Sequence, residues 1–241
     1  MKLLVVVAHP DDESFGCGSV LAAASARGDR TTVVCATRGE AGQSRVPTDD
    51  VADLREHELR AAAELPGVGT VVLLDHADSD MEGPPPSGAL VSVPLDDLAA
   101  ELRAVLEERT PDVVVTLDAS DGHRDHAHVR DATLRAVDTA SSPPTATYLW
   151  CLARSSMARW AAHMRSVGGG EGYVGAELGT PDEEITTIVD ASDHLDVRWA
   201  AIRAHASQAS PYDDLPTELQ VEFLGTDRLR LVRGNDVLGP G

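Results

Sequence analysis

Val5-Val6-Val7-Ala8-His9-Pro10-Asp11-Asp12-Glu13 decides the fold: an unbroken apolar run stops at four polar residues out of five, with a proline among them. From Leu3 to Ala8 the chain has the continuous Val/Leu character of a strand buried on both faces, which belongs in the middle of a parallel sheet. The turn after it then lies at a carboxyl edge, where open α/β sheets bind their ligands.

An imidazole and two carboxylates within this turn are borderline N and O donors of the kind zinc accepts. His9 and Asp12, three residues apart, can point at one ion, and Asp11 is left beside it as a base. The competing reading is that Asp11, Asp12 and Glu13 only cap the following helix. A second cluster shifts the balance. Asp121-Gly122-His123-Arg124-Asp125-His126-Ala127-His128 again follows an apolar run, Val113 to Leu117. Parallel strands bring such ends to one side of the sheet, so His9, Asp12 and His126 would supply three protein ligands. Three ligands with a fourth position open is the pattern of catalytic rather than structural zinc.

Ala8-His9-Pro10-Asp11-Asp12-Glu13 together with Gly122-His123-Arg124-Asp125-His126 resembles the PIG-L/LmbE-like family of zinc-dependent N-deacetylases, which act on N-acetylglucosamine-type sugars. The likeness continues through Thr37 to Gly42, Arg55, Glu58, Asp78 and His205 to Gln208, and is weakest between Ser155 and Pro181. It implies a Rossmann-like three-layer α/β fold with a mostly parallel sheet and the active site at the carboxyl edge. It also implies His9, Asp12 and His126 as zinc ligands and Asp11 as general base. His123 would stabilise the oxyanion or assist the leaving amine, Asp125 would orient an imidazole, and Arg55, Asp78, Glu40 and His205 would face the substrate. Two positions depart from the family pattern: Arg124 stands where proline is common, and Asp121 where members often carry a tyrosine.

Composition sets the bounds. A chain of 241 residues fits one α/β domain, with 1–150 as the core and 151–241 as an elaboration completing the pocket. The formal charge of −20 argues against nucleic acid or an anionic membrane surface as partner. The N-terminus lacks the length and cleavage site of a signal peptide, and no apolar run approaches ~20 residues, so a cytoplasmic protein is expected. Cys17, Cys35 and Cys151 are odd in number and lie in apolar contexts, as buried thiols do. A homo-oligomer is compatible with the sequence but not demanded by it.

Periodicity predicts one helix over Ser14–Arg27, in which Gly16-Cys17-Gly18 lacks the spacing of a phosphate-binding loop. It predicts a second over Asp50–Leu65, with Arg55, Glu58 and Arg60 on a solvated face unless Arg55 meets substrate. Strands are expected over Thr31–Ala36, Thr70–Leu74, Asp112–Leu117, Thr145–Trp150 and Glu184–Val189. Further helices are expected over Pro94–Glu108, His126–Thr139 and Leu195–Ala206. The loop Asp75–Gly88 reads as surface, 155–181 as a lid or an irregular connection with apolar anchors, and His57 and His128 as surface or structural residues.

The chemistry the resemblance implies is metal-assisted hydrolysis of an N-acetyl amide on a small sugar or glycoconjugate. Zn²⁺ is the expected ion, though the same donors accept Fe²⁺, Co²⁺ or Ni²⁺. Two other readings share the residues: a zinc amidase for a larger thiol-sugar or natural-product conjugate, and a metal- and sugar-binding protein without catalysis.

Overall fold

The computed structural model describes residues 1–81, 83–168 and 178–239. Seven strands among them form one sheet: β1 (Lys2–Val7), β2 (Arg30–Thr37), β3 (Thr70–His76), β4 (Val113–Leu117), β5 (Ala146–Cys151), β6 (Thr187–Asp190) and β7 (Thr226–Gly234). Their order is β3-β2-β1-β4-β5-β7-β6; β1 to β5 run parallel, and β7 is antiparallel to both its neighbours. The helices are α1 (Asp12–Phe15), α2 (Gly18–Ala26), α3 (Val51–Glu64), α4 (Leu95–Arg109), α5 (Arg124–Thr139), α6 (Arg154–Val167), α7 (Leu195–Ala204) and α8 (Thr217–Leu224).

Successive side chains of a strand point to opposite faces, so β1 feeds two cores. Leu3, Val5 and Val7 pack with Val20 and Leu21 of α2 on one face. On the other, Leu4, Val6 and Ala8 meet Leu98 and Leu102 of α4 and Val129 and Ala132 of α5. The result is three layers with a central strand buried on both sides. From β1 the chain winds outward through β2 and β3, then returns to place β4 on the other flank of β1. That reversal opens a crevice at the carboxyl ends of β1 and β4, where both motif turns lie.

Several expectations need correction. The first helix is broken at Gly16-Cys17, because Arg198 of α7 takes the carbonyls that would continue it: Nε donates to Ser14 at 3.1 Å, and Nη2 to Phe15 and Gly16 at 2.7 Å each. Gly18 is required there, since a Cβ would sit 2.9 Å from the Arg198 side chain. Arg55 and Glu58 are buried, not solvated, whereas Arg60 is exposed. Within the loop read as surface, Asp78 and Ser79 are buried. Residues 155–167 lie in α6, whose Met157, Trp160 and Met164 pack on a cluster that includes Tyr212 and Phe223; within the stretch, 169–177 lie outside the described residues.

Strand β6 begins at Thr187, with Glu184 in a short 3₁₀ turn before it. Helix α8 and strand β7 are not among the elements that the sequence pattern predicts. All three cysteines are buried free thiols, and His128 is half-buried with Nε2 on the Val93 carbonyl. No helix among the described residues is long and apolar enough to cross a membrane.

Arg198 also pairs with buried Asp227 at 2.9 Å, tying the start of β7 to the α1–α2 break. Replacing one member leaves the other charge buried and unpaired. Arg198→Met is expected to lower unfolding free energy in urea by about 3–5 kcal/mol. A loss under about 1 kcal/mol, the level of an exposed pair, would refute this role.

Candidate metal centre

Asp11 adopts φ 116°, a conformation L residues rarely enter, so the turn must be held from outside. Arg55 does this from α3. Its guanidinium donates to the carbonyls of Gly39 and Pro10 and, at 3.0 Å, to Asp11 Oδ2. Glu13 accepts the Asp11 N–H at 3.0 Å and is bonded in turn to Nε2 of buried His205 at 2.6 Å. Asp12 opens α1, where its Oδ2 accepts the His9 N–H at 2.8 Å.

The second motif opens α5, and three donor atoms from the two turns converge. His9 Nδ1 lies 3.3 Å from His126 Nε2, His126 Nε2 lies 3.3 Å from Asp12 Oδ2, and Asp12 Oδ2 lies 3.5 Å from His9 Nδ1. With zinc–ligand bonds of about 2.0–2.1 Å, tetrahedral ligands stand about 3.3–3.4 Å apart, so the triangle fits such an ion.

The remaining ring nitrogens fix the tautomers. His9 Nε2 meets Asp125 Oδ2 at 3.1 Å and His126 Nδ1 meets Asp121 Oδ2 at 2.6 Å, which leaves each inward nitrogen its lone pair when the ring is neutral. Ligand-type atoms of His9 also cluster with those of His123 and His126, and separately with those of Asp78 and Asp125. The latter cluster uses the outward nitrogen, 3.6 Å from Asp78 Oδ1, and surrounds the imidazole that the triangle employs.

Burial opposes charge on His126, but Asp12 and Asp121 outweigh it and hold its pKa at about 10. His9 behaves similarly: burial is overcome by Asp12, Asp125 and Asp78, and its pKa is well above the usual value. His123 differs. Burial and the charges of His9 and His126 lower it to about 4, and its Nδ1 accepts the Asp125 N–H at 3.2 Å, so the neutral ring carries its proton on Nε2. Asp11, its carboxyl 15% exposed, is raised by burial to about 6 despite Arg55.

His9, Asp11, Asp12, Arg55, Asp78 and His123 are among the residues lining a polar cavity of about 270 Å³, which Gln208 also borders. Two expected substrate residues are absent from the lining, exposed Glu40 and buried His205. Glu40 accepts the Asp78 N–H at 2.9 Å, and His205 touches Glu13. Sequence reasoning missed Glu13 and the tasks of the two departures. Asp121 orients His126, while Arg124 donates to the carbonyls of Ser79, Asp80 and Gly83 and pins the loop carrying Asp78. The signal for Asp121 was its place five residues before a histidine at a helix start.

Residues 4–137 match the family described as PIG-L, GlcNAc-PI de-N-acetylase. The chain belongs to the PIG-L family. A relative from Acidothermus cellulolyticus, 1D-myo-inositol 2-acetamido-2-deoxy-alpha-D-glucopyranoside deacetylase, is 35% identical over 260 residues, covering 97% of this chain and 89% of the relative. Among solved structures, N,N'-diacetylchitobiose deacetylase from Pyrococcus horikoshii superposes with TM-score 0.60 at 18% identity, covering 96% of this chain and 83% of that one. The hydratase GalB from Pseudomonas putida gives TM-score 0.67 at 19% identity, covering 100% and 99%. PIG-L membership makes this an N-deacetylase-family chain, whereas the GalB likeness concerns the fold alone.

Because both inward imidazoles hold protons at neutral pH without metal, a cation must displace them. Zinc affinity, measured against a chromophoric chelator, is expected to rise with pH between 6 and 8 with release of protons to the buffer. His126→Ala should weaken it at least about 100-fold. A pH-independent affinity would contradict this ligand set.

Proposed function

We propose that this protein is a zinc-dependent amide hydrolase that removes the N-acetyl group from an N-acetylglucosamine unit joined to inositol. The observation that carries the reading is the donor triangle of His9, Asp12 and His126 beside Asp11 and His123 in one polar cavity. The named activity of the Acidothermus relative supports the substrate class.

His9, Asp12 and His126 would hold the ion, and Asp125 and Asp121 keep the two imidazoles aimed. A divalent ion there supplies Lewis acidity at the amide carbonyl and makes water acidic enough to attack near neutral pH. Asp11 takes the proton of the attacking water, since a carboxylate with pKa near 6 is ionised at neutral pH yet basic enough to accept it. His123 donates its Nε2–H to the oxygen that gains charge. Asp11 then returns its proton to the departing amine nitrogen, and acetate and a free amino sugar leave. Asp78, Arg55 and Gln208 offer hydrogen bonds to sugar hydroxyls from the cavity wall; Glu40 acts through Asp78, and His205 through Glu13.

Acetate release should be at least about tenfold more efficient, in kcat/KM, for N-acetylglucosaminyl-inositol than for N-acetylglucosamine or diacetylchitobiose. Preference for the chitobiose would refute the inositol conjugate as substrate. Asp11→Asn should lose about 10²–10⁴ in kcat while retaining zinc. The base works only when deprotonated and a bound cation lowers its pKa, so wild-type kcat/KM should fall as pH drops through a value at or below about 6. An acid limb near 8 would contradict Asp11 as the base.

A further inference from the structure

A second cavity, of about 350 Å³, adjoins the polar one and, among the described residues, shares with it only Asp12, Asp121 and His126. Its character is different. Phe15, Trp150, Leu152, Met157, Trp160 and Phe223 line it, drawn from α1, β5, the link after β5, α6 and α8. Two polar groups on its walls are engaged elsewhere: the Trp150 indole N–H donates to Asp227 at 3.2 Å, and the Tyr212 hydroxyl to the Phe15 carbonyl at 2.9 Å. The Asp118 carboxylate receives Thr180 and Arg230. What remains facing inward is largely ring and aliphatic surface.

An amide is planar, with the nitrogen and carbonyl substituents on opposite sides of the reacting bond. A sugar on the nitrogen needs the hydroxyl partners of the polar cavity, so the carbonyl substituent is directed across the shared wall. An acetyl group brings a single methyl to that side. A cavity of about 350 Å³ lies within the size range of whole small-ligand pockets, which one methyl leaves almost unfilled.

We propose that the apolar cavity is an acyl subsite for an unbranched aliphatic chain of several carbons on the scissile carbonyl, so that longer N-acyl amino sugars are better substrates than N-acetyl ones. This rests on the amide-hydrolase reading and names the acyl class it acts on. The chain enters apolar surroundings, where each fully buried methylene is worth about fourfold in binding.

The test compares N-acetyl- and N-hexanoyl-glucosaminyl-inositol with the zinc-loaded full-length protein. At least about tenfold higher kcat/KM for the hexanoyl substrate is expected. Met157→Trp, which fills the cavity, should lower the hexanoyl-to-acetyl ratio at least about tenfold. Hexanoate, followed by the fluorescence of Trp150 and Trp160, should bind the zinc-loaded protein at least about tenfold more tightly than acetate does by competition. Equal or poorer cleavage of the hexanoyl amide alongside normal acetate release would overturn the subsite and leave the hydrolase standing. A gain for the n-hexyl over the methyl glycoside of N-acetylglucosamine, without a gain for the hexanoyl amide, would give the cavity to the aglycone and overturn it too. If no acyl group of any length is released, the hydrolase reading fails, and hexanoate binding alone then decides the cavity.

Discussion

The contact between His9 Nε2 and Asp125, spanning 116 positions of chain, is the constraint on which the site depends. It fixes the ring of His9, and thereby the direction of Nδ1, from a turn that belongs to a different strand. It can form only because β1 and β4 are adjacent and parallel in a register pairing Leu3 with Val113 and Val6 with Thr116. A slip of one residue would exchange the two buried faces of β1 and carry His9 away from Asp125. The apolar runs that build the two cores therefore also set the spacing of the donor atoms.

The outer shell works by spending charge. Arg55 holds Asp11 in a rarely adopted conformation, and Glu13 accepts the backbone N–H that this conformation exposes. Asp125 receives both the His9 ring and the Ser79 N–H, while Arg124 fastens the loop that presents Ser79 and Asp78. From the opposite side, Arg198 ends α1 at Gly16 and lets α2 set off on a new axis. The C-terminal third thus contributes to both halves of the site: α7 braces the first motif, and α6 and α8 supply the apolar wall beside it.

Much of this was legible in the sequence, for identifiable reasons. Continuous Val/Leu runs ending in His/Asp turns specify central parallel strands and their carboxyl edge, and the two motifs specify which side chains meet there. What escaped was set by contacts distant in sequence. Arg55 and Glu58 sit at ordinary helical spacing for a solvated face, and only their partners at Asp11 and Ser207 explain their burial. The break at Gly16 is imposed by an arginine more than 180 positions away. Strand β7 alternates arginine with leucine and pairs antiparallel between β5 and β6, so it carries no continuous apolar signal. Asp121 and Arg124 depart from the family pattern, and their own neighbours give each a task.

The most direct test of the central claim is a crystal structure of the zinc-soaked protein with anomalous data collected at the zinc edge. A single peak is expected about 2.0–2.1 Å from His9 Nδ1, His126 Nε2 and an Asp12 oxygen, with Asp125 still on His9 Nε2. A peak on the outward nitrogen, between Asp78 and Asp125, or the absence of any peak near His9, would contradict it.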